Sequence, residues 1–113
     1  MGEEVVLTED VKQYVLTAGD NMRSCLVARK DRQGNCAGVT NMGFARRFIQ
    51  VPADMTRLGE KELTPNSWVD VTDVGKEAVI SDEDFNKQFY IICSGEGVRN
   101  QIMKQYRGVE DNV

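Results

Sequence analysis

Histidine is absent from this chain of 113 residues. Its absence excludes a Ser-His-Asp triad, a Cys-His pair and a histidine-ligated metal, and it removes the side chain that most often transfers protons near neutral pH. Cysteine is scarce: Cys25, Cys36 and Cys93 are an odd number at irregular spacing. This pattern excludes a dense disulfide framework, and we predict reduced thiols, no metal site and no cofactor.

Long apolar runs and excess positive charge are also missing. No stretch of 18 apolar residues occurs, so no membrane-spanning helix is predicted. The acidic first residues lead into only three apolar ones, unlike a secretory signal, which has a basic start and a longer apolar stretch. The formal net charge of -4 disfavours binding to nucleic acid or anionic lipid. We therefore expect a cytoplasmic protein that contacts no membrane.

The remaining composition is that of a folded protein, with 41% hydrophobic and 28% charged residues. The length predicts one domain over residues 1–113. Periodicity and turn signals order the elements as α, β, β, β, β, β, α, β, α. This order predicts an α+β fold, with a small, mostly antiparallel sheet or open barrel, a short N-terminal helix and a C-terminal amphipathic helix.

Three helices are predicted from caps and periodicity. Thr8 is a candidate cap for residues 9–16, and Ser81 with the acidic residues after it begins a helix that ends near residue 87. Residues 98–107 form the terminal helix. The expected inward-facing residues are Val11, Tyr14 and Val15 in the first helix, and Val98, Ile102, Met103 and Tyr106 in the last.

Strands are predicted over residues 24–28, 36–40, 46–51, 68–72, 77–80 and 89–93. The first two form a hairpin around residues 31–35, and residues 43–49 have a helix as an alternative. Residues 55–62 are a polar connection with at most a helical turn. Alternation in 68–72 predicts a half-buried strand, and the continuous apolar run 89–93 predicts a fully buried central strand.

A cysteine loop follows that apolar run, with the sequence Cys93-Ser94-Gly95-Glu96-Gly97-Val98-Arg99. A glycine-containing turn at a helix N-terminus presents N–H groups to an anion, a thiol there is activated as a nucleophile, and an arginine can clamp phosphate oxygens. The C-x5-R spacing is similar to that of the cysteine-dependent phosphatases, and residues 89–109 resemble the strand, loop and helix of rhodanese-like sulfurtransferases. The resemblance implies a nucleophilic Cys93 beside an anion held by Ser94, Gly95, Gly97 and Arg99. The alternative interpretation is that Cys93 is a small buried residue ending a core strand.

Six basic residues form a candidate patch: Arg23, Arg29, Lys30, Arg32, Arg46 and Arg47. With Phe44 and Phe48 as stacking rings, such a patch would suit single-stranded nucleic acid. A solvated charged face is the alternative, and the negative net charge favours it.

A second resemblance covers residues 65–90. The residues are Pro65-Asn66-Ser67-Trp68-Val69, then Gly75-Lys76-Glu77, Ile80-Ser81-Asp82-Glu83-Asp84-Phe85 and Phe89-Tyr90. This pattern looks like small bacteriophage-encoded, β-rich proteins of unknown function, in which a Trp and a Phe anchor a compact module. It implies a viral protein, located in the host-cell cytoplasm or the virion. The alternative is that Trp68, Phe85 and Phe89 are ordinary core aromatics.

The leading hypothesis is a small acidic, non-enzymatic accessory or structural protein, which binds a protein partner or assembles with copies of itself. What motivates it is the lack of histidine, of a metal set and of a nucleotide-binding loop. The second hypothesis is a Cys93-dependent phosphatase or sulfurtransferase-like anion binder. The third is a binder of single-stranded nucleic acid.

Overall fold

The computed structural model describes residues 4–5, 8–30, 45–59 and 61–108. The elements in these ranges are β1 (Glu4–Val5), α1 (Thr8–Ala18), a 3-10 turn (Gly19–Asn21), β2 (Arg23–Arg29), β3 (Arg46–Gln50), β4 (Arg57–Leu58), β5 (Lys61–Glu62), β6 (Trp68–Asp70), β7 (Ala78–Ile80), α2 (Asp82–Gln88), β8 (Phe89–Ser94) and α3 (Glu96–Arg107). One helix follows β1, a second precedes β8 and a third ends the order, which confirms the predicted α+β class with a helix near each end.

Six strands form one sheet in the order β1-β7-β6-β3-β2-β8, and every neighbouring pair is antiparallel. Strands β4 and β5 form a separate two-stranded hairpin. Within the described ranges the outer strands β1 and β8 do not pair with each other, so the sheet is open rather than a closed barrel. The sheet lies between helices: α1 and α3 cover one face, here called the two-helix face, and α2 covers the other, here called the α2 face.

The buried residues of the core on the two-helix face are aliphatic, apart from Met22 and Tyr106. Val11 and Val15 of α1 are buried, as predicted, and Tyr14 is partly buried beside them. From α3, Val98, Ile102 and Tyr106 are buried, and Met103 packs against the same cluster. The sheet supplies Ile49, Val51, Val69, Val71 and Val79. The helical spacing of the apolar residues therefore predicted correctly which face of each helix packs on the sheet.

The core on the α2 face is aromatic. Phe85 of α2 stacks on Trp68 with ring centroids 3.8 Å apart and planes inclined by 7°. Phe48 meets the edge of Phe85 at 5.1 Å and Phe89 at 4.9 Å. The predicted cap of α2 is confirmed, because the Ser81 hydroxyl accepts a hydrogen bond from the Asp84 N–H at 3.1 Å. Four aromatic rings thus hold a helix of only seven residues on the sheet.

Residues 46–50 form a strand, as favoured over the helical alternative. Strand β3 pairs with β2 on one side and β6 on the other. The predicted strand 36–40 and its loop 31–35 lie outside the described residues. Thr8 is the first residue of α1 rather than the residue before it, and its hydroxyl donates to Glu77 at 2.9 Å.

Three strand predictions are corrected by the structure. Residues 68–70 are buried on both faces, because helices cover both sides of the sheet. Residues 57–62 contain the β4–β5 hairpin rather than a polar connection, and its turn uses Gly59 at φ 63°, a left-handed conformation that favours glycine. The apolar strand β8 is at the edge of the sheet instead of its centre, with Tyr90 and Ile91 each 48% exposed. Its apolar composition therefore does not reflect burial.

Candidate functional site

The outer side of β8 pairs with no described strand and carries exposed apolar side chains. All six residues, Phe89–Ser94, are uncharged. Strand β8 pairs with β2 on one side, and no strand of the described ranges pairs with its other side. Among the described residues only four large apolar side chains are exposed, and Tyr90 and Ile91 are the most exposed of them. We call Tyr90, Ile91, Cys93 and Ser94 the β8 edge.

A β-bulge interrupts β8 at Ile92. The pairs with β2 are Phe89–Arg29, Tyr90–Ala28, Ile91–Val27, Cys93–Leu26 and Ser94–Cys25, so Ile92 is an extra residue. Because opposed residues in an antiparallel ladder point to the same face, Phe89 and Ser94 both lie on the α2 face. Tyr90 and Cys93 both lie on the two-helix face. Without the extra residue, Phe89 and Ser94 would point to opposite faces, and so would Tyr90 and Cys93.

A cavity of about 270 Å³ adjoins the β8 edge. Its lining includes Ile91 and Ser94 from β8, Arg23 and Cys25 from β2, and Trp68 from β6. The cavity therefore offers an apolar wall with one cationic side chain at the end of the sheet where β8 leads into α3.

The predicted cysteine loop is a single strand, turn and helix, as the sequence indicated. Cys93 is exposed, so the alternative that it is a buried core residue is wrong. Ser94 ends β8, Gly95 follows at φ 112°, and α3 begins at Glu96 and includes Gly97. These residues adjoin one another in space, and the nucleophilic role of Cys93 stays a prediction.

Arg99 of that loop is already engaged within the chain. Its Nη2 lies 3.6 Å from an Asp20 carboxylate oxygen and 3.8 Å from one of Glu96. Its Nη1 also donates to the Asp20 carbonyl at 3.5 Å. An anion at this turn would have to compete with two carboxylates for the guanidinium, which weakens the predicted clamp.

Cys25 differs from Cys93 in being buried, with 2% of its surface exposed. Burial above all, together with the nearby Cys93 and against the charge of Arg23, raises the pKa of the Cys25 thiol to about 12. A thiol with so high a pKa carries almost no thiolate at neutral pH, so Cys25 packs as a small apolar side chain.

Stability is expected to fall as pH rises above 9, because of Cys25. The unfolded thiol ionises near its ordinary pKa of 9.0, whereas the folded thiol keeps its proton up to about 12. Above pH 9 the folded state therefore binds more protons, and about 1–2 kcal/mol of unfolding free energy should be lost by pH 10. Urea unfolding of wild type and Cys25→Ala from pH 7.5 to 10 tests this. Equal pH slopes for the two proteins would contradict it.

The predicted basic patch is dispersed by the sheet. Arg23 and Arg29 are at opposite ends of β2, about 20 Å apart at strand spacing. Arg29 lies over the Phe89 ring at 5.0 Å and donates to Gln88, and the Lys30 ammonium donates to the Asn86 carbonyl at 2.7 Å. Both side chains therefore link the end of β2 to the region where α2 meets β8. Arg32 lies outside the described residues.

Arg46 and Arg47 are adjacent in sequence and point to opposite faces of the sheet, as strand periodicity requires. Arg46 donates to the buried carboxylate of Asp70 at 2.7 Å on the α2 face. Arg47 donates to Gln105 at 3.2 Å and to the Thr72 carbonyl at 3.1 Å, which joins α3 to the sheet. These two residues form no common surface.

The aromatic part of the nucleic-acid hypothesis is also corrected. Phe48 is 1% exposed and packs among Phe85 and Phe89, so its ring cannot stack on a base. Phe44 lies outside the described residues. Among the described residues, the structure thus separates Arg23 from Arg29 and Arg46 from Arg47, and it buries Phe48, the one described ring that this hypothesis needs.

Sequence reasoning missed a buried polar centre at Glu77, which has no exposed surface. One carboxylate oxygen accepts from the Thr8 hydroxyl at 2.9 Å and from the Gly75 N–H at 3.1 Å, and the other accepts from the Tyr106 hydroxyl. Burial, the hydrogen bond to Glu77 and the charge of Glu77 all raise the pKa of Tyr106. The centre ties α1, the β6–β7 hairpin and α3 together. No local signal could have shown it, because two of its three donors, Thr8 and Tyr106, come from distant parts of the chain.

No family model, no curated protein and no solved structure matches this chain. Within the described ranges, no three His, Cys, Asp or Glu side chains are grouped so as to hold a metal ion. None of the three described helices is long and apolar enough to cross a membrane. The function is therefore argued from the β8 edge itself.

Proposed function

We propose that this protein is a non-enzymatic binding module that acts through protein–protein contacts made by the β8 edge. The observation that carries the proposal is an uncharged edge strand on which Tyr90 and Ile91 each expose 48% of their surface. The cysteine loop supports an enzymatic role less well, because Arg99 is held by Asp20 and Glu96.

The physical argument concerns how proteins treat edge strands. An edge presents free N–H and C=O groups, and natural proteins usually protect it with charges, prolines, β-bulges or a covering element. Strand β8 has a bulge at Ile92 but neither charge nor proline, and its apolar residues Tyr90 and Ile91 are exposed. Such an edge is suited to receiving a strand from a partner, with main-chain hydrogen bonds for affinity and side-chain contacts for specificity. The cavity beside Ile91 provides room for one partner side chain.

The proposal includes a viral accessory role in the host-cell cytoplasm or the virion. Its support is the resemblance of residues 65–90 to small bacteriophage-encoded proteins. The stacked pair of Trp68 and Phe85 agrees with the anchoring role that this resemblance implies. The acidic net charge of -4 suits a partner with a basic surface around the apolar contact.

The test is a double substitution on the edge, Tyr90→Lys with Ile91→Lys, compared with Leu16→Lys and Val74→Lys as a matched control. The control residues are 37% and 41% exposed and lie away from β8, so both variants lose two exposed apolar side chains. Proteins retained by the immobilised wild type are identified and purified, and their Kd values, as well as self-association, are measured for each variant. We expect the edge variant to weaken binding about tenfold or more. Equal binding by the two variants, at equal urea midpoints, would contradict the proposal.

A further inference from the structure

We infer that the β8 edge binds a second copy of this chain, with the two β8 strands antiparallel and in register over all six residues. This inference rests on the proposed function and names its partner. In this arrangement Phe89 opposes Ser94 of the second copy, Tyr90 opposes Cys93, and Ile91 opposes Ile92. The two open sheets then join into one continuous sheet across a two-fold axis.

The bulge at Ile92 makes this register possible. A two-fold axis normal to the sheet keeps each face on its own side, so opposed residues must point to the same face. In a regular six-residue strand, the first and last residues point to opposite faces, and full overlap is forbidden. Here the extra residue puts Phe89 and Ser94 on one face and Tyr90 and Cys93 on the other, as their β2 partners show. Full overlap is therefore allowed, and it uses every residue of the edge.

Charge complementarity at the two ends supports the same register. Lys87 lies in the last turn of α2, two residues before β8, and Glu96 begins α3, two residues after it. Their side chains are 69% and 74% exposed, and within the chain they lie 3.7 Å from Glu83 and 3.8 Å from Arg99. Full antiparallel overlap brings the end of α2 in each copy, with Lys87, to the start of α3 in the other, with Glu96, and symmetry repeats this arrangement. Between these ends no charge opposes another, because β8 has none. A strand that is neutral along its length, basic at one end and acidic at the other is complementary to itself only when antiparallel.

A cysteine introduced at position 90 tests the register. Directly opposed residues have Cβ atoms about 4.5–5.5 Å apart, close enough for a disulfide after small adjustments. In a Cys36→Ser background, Tyr90→Cys should therefore form two disulfides per dimer with the native Cys93 when diamide oxidises the thiols. The control is the same protein with Cys93→Ser, which should remain uncross-linked. Cross-linking that persists without Cys93 would overturn the register.

A charge exchange tests the ends independently of any disulfide. Lys87→Glu and Glu96→Lys should each weaken the dimer about five- to tenfold in sedimentation equilibrium, because each places two pairs of like charges together. The protein carrying both substitutions should recover most of the wild-type affinity. If the dimer Kd of the double variant rises by the product of the two single-variant factors, the pairing of Lys87 with Glu96 is overturned.

The outcomes separate this inference from the proposed function. A wild type that stays monomeric at every concentration, but binds another protein through the β8 edge, overturns the second copy and leaves the proposed function standing. A wild type that neither dimerises nor loses a partner in the edge variant overturns both. Concentration-dependent dimers that cross-link through Cys93 support both.

Discussion

Glu77→Ala is expected to lower the free energy of unfolding by about 3–5 kcal/mol, the range for breaking a buried charged network. The substitution removes the acceptor for the Thr8 hydroxyl, the Gly75 N–H and the Tyr106 hydroxyl, and the fully buried Tyr106 cannot turn its hydroxyl to water without opening the core. It also leaves a void where a side chain with no exposed surface had packed. Urea denaturation followed by circular dichroism measures the change.

Two further variants make this prediction testable if Glu77→Ala fails to fold. Tyr106→Phe removes one of the three donors and keeps the ring, so we expect a loss of about 1.5–3 kcal/mol, typical of a hydrogen bond to a charged group. Glu62→Ala removes an exposed carboxylate from β5 and should change stability by no more than about 0.5 kcal/mol. If Glu77→Ala lowers the free energy of unfolding no more than Glu62→Ala does, the buried hydrogen bonds of Glu77 do not stabilise the fold.

Phe85→Ala is expected to cost about 3–5 kcal/mol, the range for deleting a buried phenylalanine ring. The ring is 1% exposed and lies against Trp68, Phe48 and Phe89, and it is the only buried residue of α2. Without it, α2 has no apolar attachment to the sheet. A helix of seven residues is too short to be stable alone in water.

The spectroscopic readout of Phe85→Ala is the near-ultraviolet circular dichroism of Trp68, the one tryptophan of the chain. Its signal should fall because the stacked ring at 3.8 Å is removed. Glu83→Ala, on the exposed side of the same helix, serves as the control and should preserve both the signal and the urea midpoint to within about 0.5 kcal/mol. An unchanged tryptophan signal in Phe85→Ala would show that the stack does not order the indole.

The helices were predictable because their signals are local. Ser81 and the acidic residues after it lie within one turn of each other, and the inward residues of α1 and α3 recur at helical spacing. Strand β3 was predictable for a similar reason, since Pro52, which lies just beyond it, ends regular structure. These features need no information from other parts of the chain.

The position of β8 was not predictable, because composition does not encode the order of strands in a sheet. A continuous apolar run is typical of a central strand, yet β8 is paired only with β2 among the described strands. The run is apolar on its exposed positions too, which is the reason for proposing that another chain covers it. The sequence thus identified the apolar strand of the candidate site correctly and placed it wrongly, at the centre of the sheet instead of its edge.

The basic patch was predicted, and Glu77 was missed, because neighbours along the chain are not the same as neighbours in space. Arg46 and Arg47 are neighbours in sequence, but a strand sends consecutive side chains to opposite faces, so proximity along the chain became separation in space. Glu77 and Tyr106 are 29 positions apart, and only the packing of α3 on the sheet brings them together. A charged residue near a hairpin turn is normally exposed, so nothing local distinguished Glu77 from its neighbours.

The Glu77 centre also bears on how the chain folds while it is being synthesised. The carboxylate leaves the ribosome 29 residues before the Tyr106 hydroxyl that completes its hydrogen bonds. Strand β2 likewise waits for β8, more than sixty positions later, before its second side is paired. In a nascent chain that stops short of α3, the Glu77 carboxylate lacks the Tyr106 hydroxyl, and burying it is unfavourable. The interior of such a chain therefore stays hydrated and loosely packed. Folding should therefore begin late and finish abruptly, once the last helix has emerged.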